Sequence, residues 1–300
     1  MIDKEALPYA WMLLGSLAFS AMATLAHALG GRCDWELVAT VRAALALVFS
    51  TALALEAGAR LVVMRPRTLW LRSIAGTVSL LCTFYALPRL PISDVLTLTN
   101  MFPIWVALLS WPIAGAAPTR GAWIAIAIGI CGVVLVTRPH VAEARLLPAA
   151  VALFASFSTS IAMLGLHRLQ GVDPRAIVAH FSGVSLLACL GLLALDPADS
   201  LAASRFDTGS LVMLAGIGIC ATIGQLFLTK AFAAGPPARV SVVALTQVVF
   251  AMIFDALIWK RTFGPASLVG IALVMAPTAW LLLTPRRPRG PDLSLRPPAS

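Results

Sequence analysis

Nine side chains could do chemistry, because each is polar, aromatic or charged within or beside a long apolar stretch: Arg42, Tyr85, Thr97, Asn100, Trp105, His180, Gln225, Gln247 and Asp255. Arg42 is a permanent cation that can hold a carboxylate or phosphate, or equally serve in a fixed structural pair or snorkel to an interface. Asp255 lies one helical turn before Trp259. It can form a salt bridge with Arg42 that makes and breaks, or it can simply sit in interfacial water. His180 can exchange protons near neutral pH or act as a hydrogen-bonded structural group. Asn100 and Gln247 can line a cavity with Thr97, Thr99 and Thr246, or bond helix to helix, as amides do in lipid. Tyr85, Trp105 and Gln225 are further cavity candidates.

Other chemistries find no support. Cys33, Cys82, Cys131, Cys189 and Cys220 lack metal-ligand spacing. They read as small apolar residues, with neither a zinc site nor a disulfide framework. Gly216 and Gly218 fall inside an apolar stretch with no strand before them, so they are not a nucleotide loop. No cofactor is expected.

The elements that must position these groups follow from composition. The 300 residues are 60% hydrophobic and 12% charged, with a mean hydropathy of +0.92. A soluble domain carries about 25% charged residues, so the solvent for this surface is lipid. Apolar blocks occur at roughly Tyr9–Leu29, Leu37–Leu55, Leu69–Leu87, Val95–Ala114, Gly121–Val136, Leu147–Leu166, Ala176–Leu195, Leu211–Leu228, Val240–Trp259 and Ala266–Leu283. A crossing helix needs about 17–25 residues, so the expected fold is an all-α integral membrane protein of ten transmembrane helices. The fifth block is marginal. The first is too long for a cleavable signal peptide, and further apolar blocks follow it.

A net charge of +9 invites a nucleic-acid reading, which the distribution opposes. With the N-terminus in the cytoplasm, fourteen Lys and Arg residues fall in inner segments and seven in outer ones, Arg42 standing apart within a helix. That is the positive-inside bias, and it puts both termini in the cytoplasm. Arg72 is counted here among the inner charges.

The chain also reads as five helices used twice. Tyr85-Ala86 and Leu98-Thr99-Asn100 recur as Phe232-Ala233 and Leu245-Thr246-Gln247, all at an offset of 147. The stretch from Glu36 to Arg42 resembles that from Pro174 to His180, which makes His180 the counterpart of Arg42. An odd number of crossings per half inverts the second half. Inverted repeats are common in secondary transporters, with the substrate site at the repeat interface.

These residues resemble the drug/metabolite transporter superfamily, specifically its EamA-type members. The carriers are Arg42, Phe84-Tyr85-Ala86-Leu87, Asn100-Met101-Phe102-Pro103, Gly224-Gln225, Lys230-Ala231-Phe232 and the final helix from Gly264 to Trp280. The resemblance spans roughly residues 8–285. It implies two five-helix repeats, at 1–140 and 141–285, with 286–300 as a disordered cytoplasmic tail. The sequence departs from the family where a Leu-Gly-Glu-like segment often follows the fourth and ninth helices. Here Ile113-Ala114-Gly115-Ala116 and Leu257-Ile258-Trp259-Lys260 stand instead.

The expected function is a secondary transporter of small organic metabolites, such as amino acids or other carboxylate-bearing compounds, in the plasma or inner membrane of a bacterium. Arg42, Tyr85, Thr97, Asn100, Trp105, Gln225 and Gln247 form the expected substrate site. Asp255 and His180 are the expected coupling or gating groups, and proton coupling rests on them. The expected partners are a small-molecule substrate and membrane lipids, with a homodimer left open and no nucleic acid. The competing class is an integral membrane enzyme modifying lipids or metabolites. Such an enzyme needs a catalytic cluster near the interface, and the His and carboxylate residues are scattered.

Overall fold

The computed structural model describes residues 6–29, 32–86, 89–90, 92–114, 117–137, 146–194, 207–260 and 262–283. The boundary expected at residues 140/141 and the tail 286–300 lie outside them. The described residues form twelve helices and no strand. They are α1 (Leu7–Leu29), α2 (Trp35–Glu56), α3 (Arg67–Ala86), α4 (Ile92–Thr99), α5 (Phe102–Ala114) and α6 (Arg120–Thr137). The second half contributes α7 (Leu146–His167), α8 (Pro174–Leu193), α9 (Thr208–Ala234), α10 (Pro237–Ala244), α11 (Thr246–Trp259) and α12 (Pro265–Leu283).

Aspartates start three of these helices. Asp34 Oδ1 accepts the Trp35 N–H at 2.7 Å, and Asp173 Oδ1 accepts the Arg175 N–H at 2.8 Å. Asp207 Oδ1 accepts the Ser210 N–H at 3.2 Å and the Ser210 hydroxyl. Each carboxylate satisfies a donor that the first turn cannot and puts negative charge at the positive end of the helix dipole. Those Ser210 bonds hold the Asp207 carboxyl below the usual carboxylate range. Pro174, with no N–H to lose, suits the first turn of α8. Past the end of α2, Gly58 has a φ of 65°, a left-handed turn that glycine adopts without Cβ strain.

The fourth and ninth expected helices are each two helices. Pro103 has no N–H, and its ring crowds the carbonyl of Thr99, so the chain breaks between α4 and α5. The second break has no proline. At Leu245 the backbone tightens instead, with Leu245 N–H bonded to the Val242 carbonyl and Val248 N–H to that of Leu245, both at 3.1 Å. Eight stretches have the length and apolarity of a membrane crossing, two of them running through these breaks as Val95–Pro112 and Pro237–Ile258. The apolar parts of α6 and α12, Arg120–Leu135 and Pro265–Trp280, are shorter.

Packing reproduces the duplication. α1 lies along α9 as α3 lies along α7, and α1 packs on α10 and α11 as α7 packs on α4 and α5. α2 pairs with α8, and α6 with α12. Exchanging α1–α6 for α7–α12 leaves this list of major partners unchanged. Lipid offers no hydrophobic drive between helices, so close van der Waals fit must hold them together. At the α6–α12 contact a Cβ on Gly132 would come within 2.7 Å of the Gly270 carbonyl oxygen. Outward positions such as Trp111, Leu187 and Val212 are exposed and apolar, as a lipid-facing surface requires.

Candidate functional site

A narrow cleft opens between the two halves, walled by α2, α3, α8 and α9. Its lining includes Arg42, Leu80, Phe181, Ser182, Ser185 and Gln225. The cleft has room for about one water molecule. Arg42 projects from α2 and is 8% exposed, with its Nε donating to Met22 Sδ at 3.2 Å. Sulfur is a weak acceptor, so the guanidinium keeps most of its hydrogen-bonding capacity. Ser182 is buried, and its hydroxyl has no hydrogen-bond partner among the described residues. Ser185 is satisfied across the helices by Thr77 at 2.8 Å.

Behind Gln225 stands a second arginine. Arg72 of α3 is 1% exposed, and its Nη2 donates to Gln225 Oε1 at 2.8 Å. Its guanidinium carbon lies 3.9 Å from the centre of the Phe181 ring, a cation–π contact. Its Nε and Nη1 have no hydrogen-bond partner among the described residues. Arg42 and Arg72 are near enough for their charges to repel. Among the described residues they are the buried charged side chains, and no carboxylate is buried with them.

The structure brings Arg42 and Gln225 of the expected site together. Tyr85, Thr97, Asn100, Trp105 and Gln247 do not line the cleft. Tyr85, at the end of α3, lies under Arg89, 3.8 Å from guanidinium carbon to ring centre. Thr97 is buried in α4. Asn100 turns back on its own helix, Nδ2 donating to the Leu96 carbonyl at 2.8 Å. Trp105 Nε1 donates to Ser156 Oγ at 3.0 Å, tying α5 to α7. Gln247 offers its backbone carbonyl to Ser20 Oγ at 2.6 Å, tying α11 to α1.

Of the expected coupling groups, His180 Nδ1 pairs with Ser73 Oγ at 2.8 Å, and its ring meets Trp70 edge-on at 4.7 Å. Asp255 belongs to α11, which packs on α1 and contributes nothing to the cleft wall.

Arg72, Phe181 and Ser182 were not among the expected site residues. Arg72, expected as one of the inner-segment charges, is buried within the helix bundle. The sequence holds only part of its signal: it lies within the third apolar block, one turn before Gly76 and on the same helix face, which leaves the direction of the side chain open.

The two halves of the chain, residues 6–138 and 146–283, each match the model of the EamA-like transporter family. The chain belongs to that family. Over 264 residues it is 24% identical to the pseudopaline exporter CntI of Pseudomonas aeruginosa, covering 88% of this chain and 91% of that one. An uncharacterized transporter of Helicobacter pylori is 26% identical over 68% of this chain and 69% of its own. One of Archaeoglobus fulgidus is 30% identical over 67% and 70%. A solved crystal structure superposes with a TM-score of 0.80 at 16% identity, covering 91% of this chain and 95% of that one, which speaks to the fold. The chain is thus a multi-pass membrane transporter built from two EamA repeats, and not an enzyme.

Proposed function

We propose that this protein is a secondary transporter of small carboxylate-bearing metabolites, working by alternating access at the Arg42 cleft. Ten crossings in two inverted five-helix repeats, with α4–α5 and α10–α11 each one crossing, fit the exchangeable packing of the halves. Both termini then lie in the cytoplasm, and the membrane is a bacterial plasma or inner membrane. The observation that carries the substrate class is the charge balance of the cleft. A buried cation costs roughly 2.5–3.5 kcal/mol on insertion scales, and Arg42 faces a cleft whose other lining side chains are uncharged, its Nε meeting only a thioether. A substrate carboxylate supplies the missing acceptor. Ser182 Oγ, an unpartnered group of the same lining, offers it a second donor.

Rocking of one half against the other would expose the cleft to each side in turn. That a relative is named an exporter favours outward movement. Coupling to protons through His180 or Asp255 adds one arm to the test.

Purified protein in proteoliposomes is given a labelled panel of amino acids and organic acids, with and without an imposed pH gradient. Saturable flux of a carboxylate compound, lost in Arg42→Ala, is the expected result. A gradient that accelerates wild type and not His180→Ala or Asp255→Asn identifies the coupling group. Flux confined to cations or uncharged compounds, or flux unchanged in Arg42→Ala, refutes the reading.

A further inference from the structure

We infer that Arg72 forms a second anion subsite, so that the transported compound is an organic dianion with two anionic groups, one for each arginine. The inference rests on the Arg42 cleft being the transport site and specifies what that site takes.

Arg72 is a built feature of the fold. A Cβ on Gly76 would lie 3.1 Å from Arg72 Nη1 and 2.8 Å from Phe181 Cε2, so a bare glycine keeps open the room that the guanidinium and the ring occupy. On α7, a Cβ at Gly165 would stand 3.3 Å from Arg72 Cβ. Phe181 covers one face of the guanidinium, and Gln225 takes Nη2. Two N–H-bearing nitrogens, Nε and Nη1, stay unpartnered in a side chain that is 1% exposed.

Leaving donors on a buried charge unmade is expensive. A lone structural arginine would be expected to find backbone carbonyls or a carboxylate. Here the neighbouring charge is a second arginine, which makes the unliganded state worse. Two buried cations without an acid form a pair that an anion of charge two would neutralise.

Their placement sets the shape of that anion. Arg42 lies about 10 Å along α2 from its start, and Arg72 about 7 Å along α3 from its start. The chain reverses between these helices, so the two starts are at opposite ends of the bundle. The Arg72 side chain reaches one turn along α3 to the level of Gly76, with Gln225 touching it and also lining the cleft beside Arg42. An elongated dicarboxylate can engage both, and so can a carboxylate or phosphate pair on one carbon frame.

The test is binding by calorimetry to the purified full chain in detergent. The probes are α,ω-dicarboxylates from succinate to suberate, each beside its monomethyl ester. A carboxyalkyl phosphate beside a simple alkyl phosphate forms the second arm. In wild type, one dicarboxylate length is expected to bind at least about tenfold more tightly than its monoester. In Arg72→Gln that ratio falls toward one while the monoester's own Kd stays within about twofold. Arg72→Lys keeps the charge and retains part of the ratio, and serves as the readout should the Gln variant fail to fold. Preference for the carboxyalkyl phosphate over the dicarboxylates would identify a phosphate as the second group.

Equal affinity for diacid and monoester at every length overturns the inference, as does a preference that survives Arg72→Gln, or tighter binding of the simple alkyl phosphate than of any spaced dianion. The proteoliposome assay fails separately. Flux of monocarboxylates with no diacid preference removes the dianion and keeps the transporter, whereas loss of all carboxylate flux removes the site itself.

Discussion

Two polar regions of this molecule look alike in sequence and differ in what their donors do. One is the cleft between α2, α3, α8 and α9; the other comprises the breaks at α4–α5 and α10–α11. At the breaks the polar groups are spent on backbone. Thr99 and Thr246 hydroxyls donate to the carbonyls of Val95 and Val243 at 2.7 Å, and Asn100 donates to Leu96. From α1, Ser20 reaches the Gln247 carbonyl. In the cleft Ser182, and behind Gln225 Arg72, keep donors unpartnered, and Arg42 Nε meets only a sulfur. A carbonyl freed by a helix break in lipid must be satisfied from nearby, so polar residues at a break serve the fold. On the proposed function, donors left open in the buried cleft serve a ligand.

Substitutions can break or sharpen this contrast. Arg42→Ala has the largest expected effect. A hydrogen bond to a charged group is worth about 1.5–3 kcal/mol, so the substrate KM is expected to rise roughly ten- to hundredfold, read as uptake kinetics with thermal stability little changed. Ser182→Ala comes next. One neutral donor at about 1 kcal/mol gives roughly a fivefold rise in KM, again without loss of stability. Trp105→Phe should show the opposite pattern. It removes the bond to Ser156 and lowers unfolding stability in detergent by about 1 kcal/mol, with KM unchanged.

The smallest effect is at the helix start distant from both regions. Asp207, held low by Ser210, adds stability that is present above its unfolded pKa of about 3.8 and is lost as pH falls through its lower folded value. Asp207→Asn should therefore flatten the decline in melting temperature below about pH 4 and leave values near neutrality almost unmoved.

How much was legible beforehand varied with the kind of signal. Apolar runs located the helices well, because in lipid every backbone polar group must be paired within the segment. α9 runs on to Ala234, past the expected end at Leu228, because Lys230 can lie along the helix near the Phe227 ring, 5.8 Å away. The offset of 147 aligned the two stretches that break, but each was expected as a single helix. Pro103 explains one, while the tightened turn at Leu245 has no residue that announces it. Arg42 and Gln225 were legible as polar groups well inside apolar blocks. Arg72 was not, because a cation a few residues inside a block can snorkel outward or point inward. Tertiary structure decides between them, here through Phe181 and Gln225 on α8 and α9. Asn100 was ambiguous for the reverse reason: the structure turns its amide onto the Leu96 carbonyl. An amide in an apolar block looks the same whether it faces a cavity or its own backbone.

The most direct test of the contrast is uptake of one transported substrate measured side by side in wild type, Ser182→Ala and Asn100→Ala proteoliposomes. The account predicts a KM raised several-fold by Ser182→Ala and unmoved by Asn100→Ala. A raised KM in Asn100→Ala with Ser182→Ala at the wild-type value would contradict it, and would put the binding site at the helix breaks.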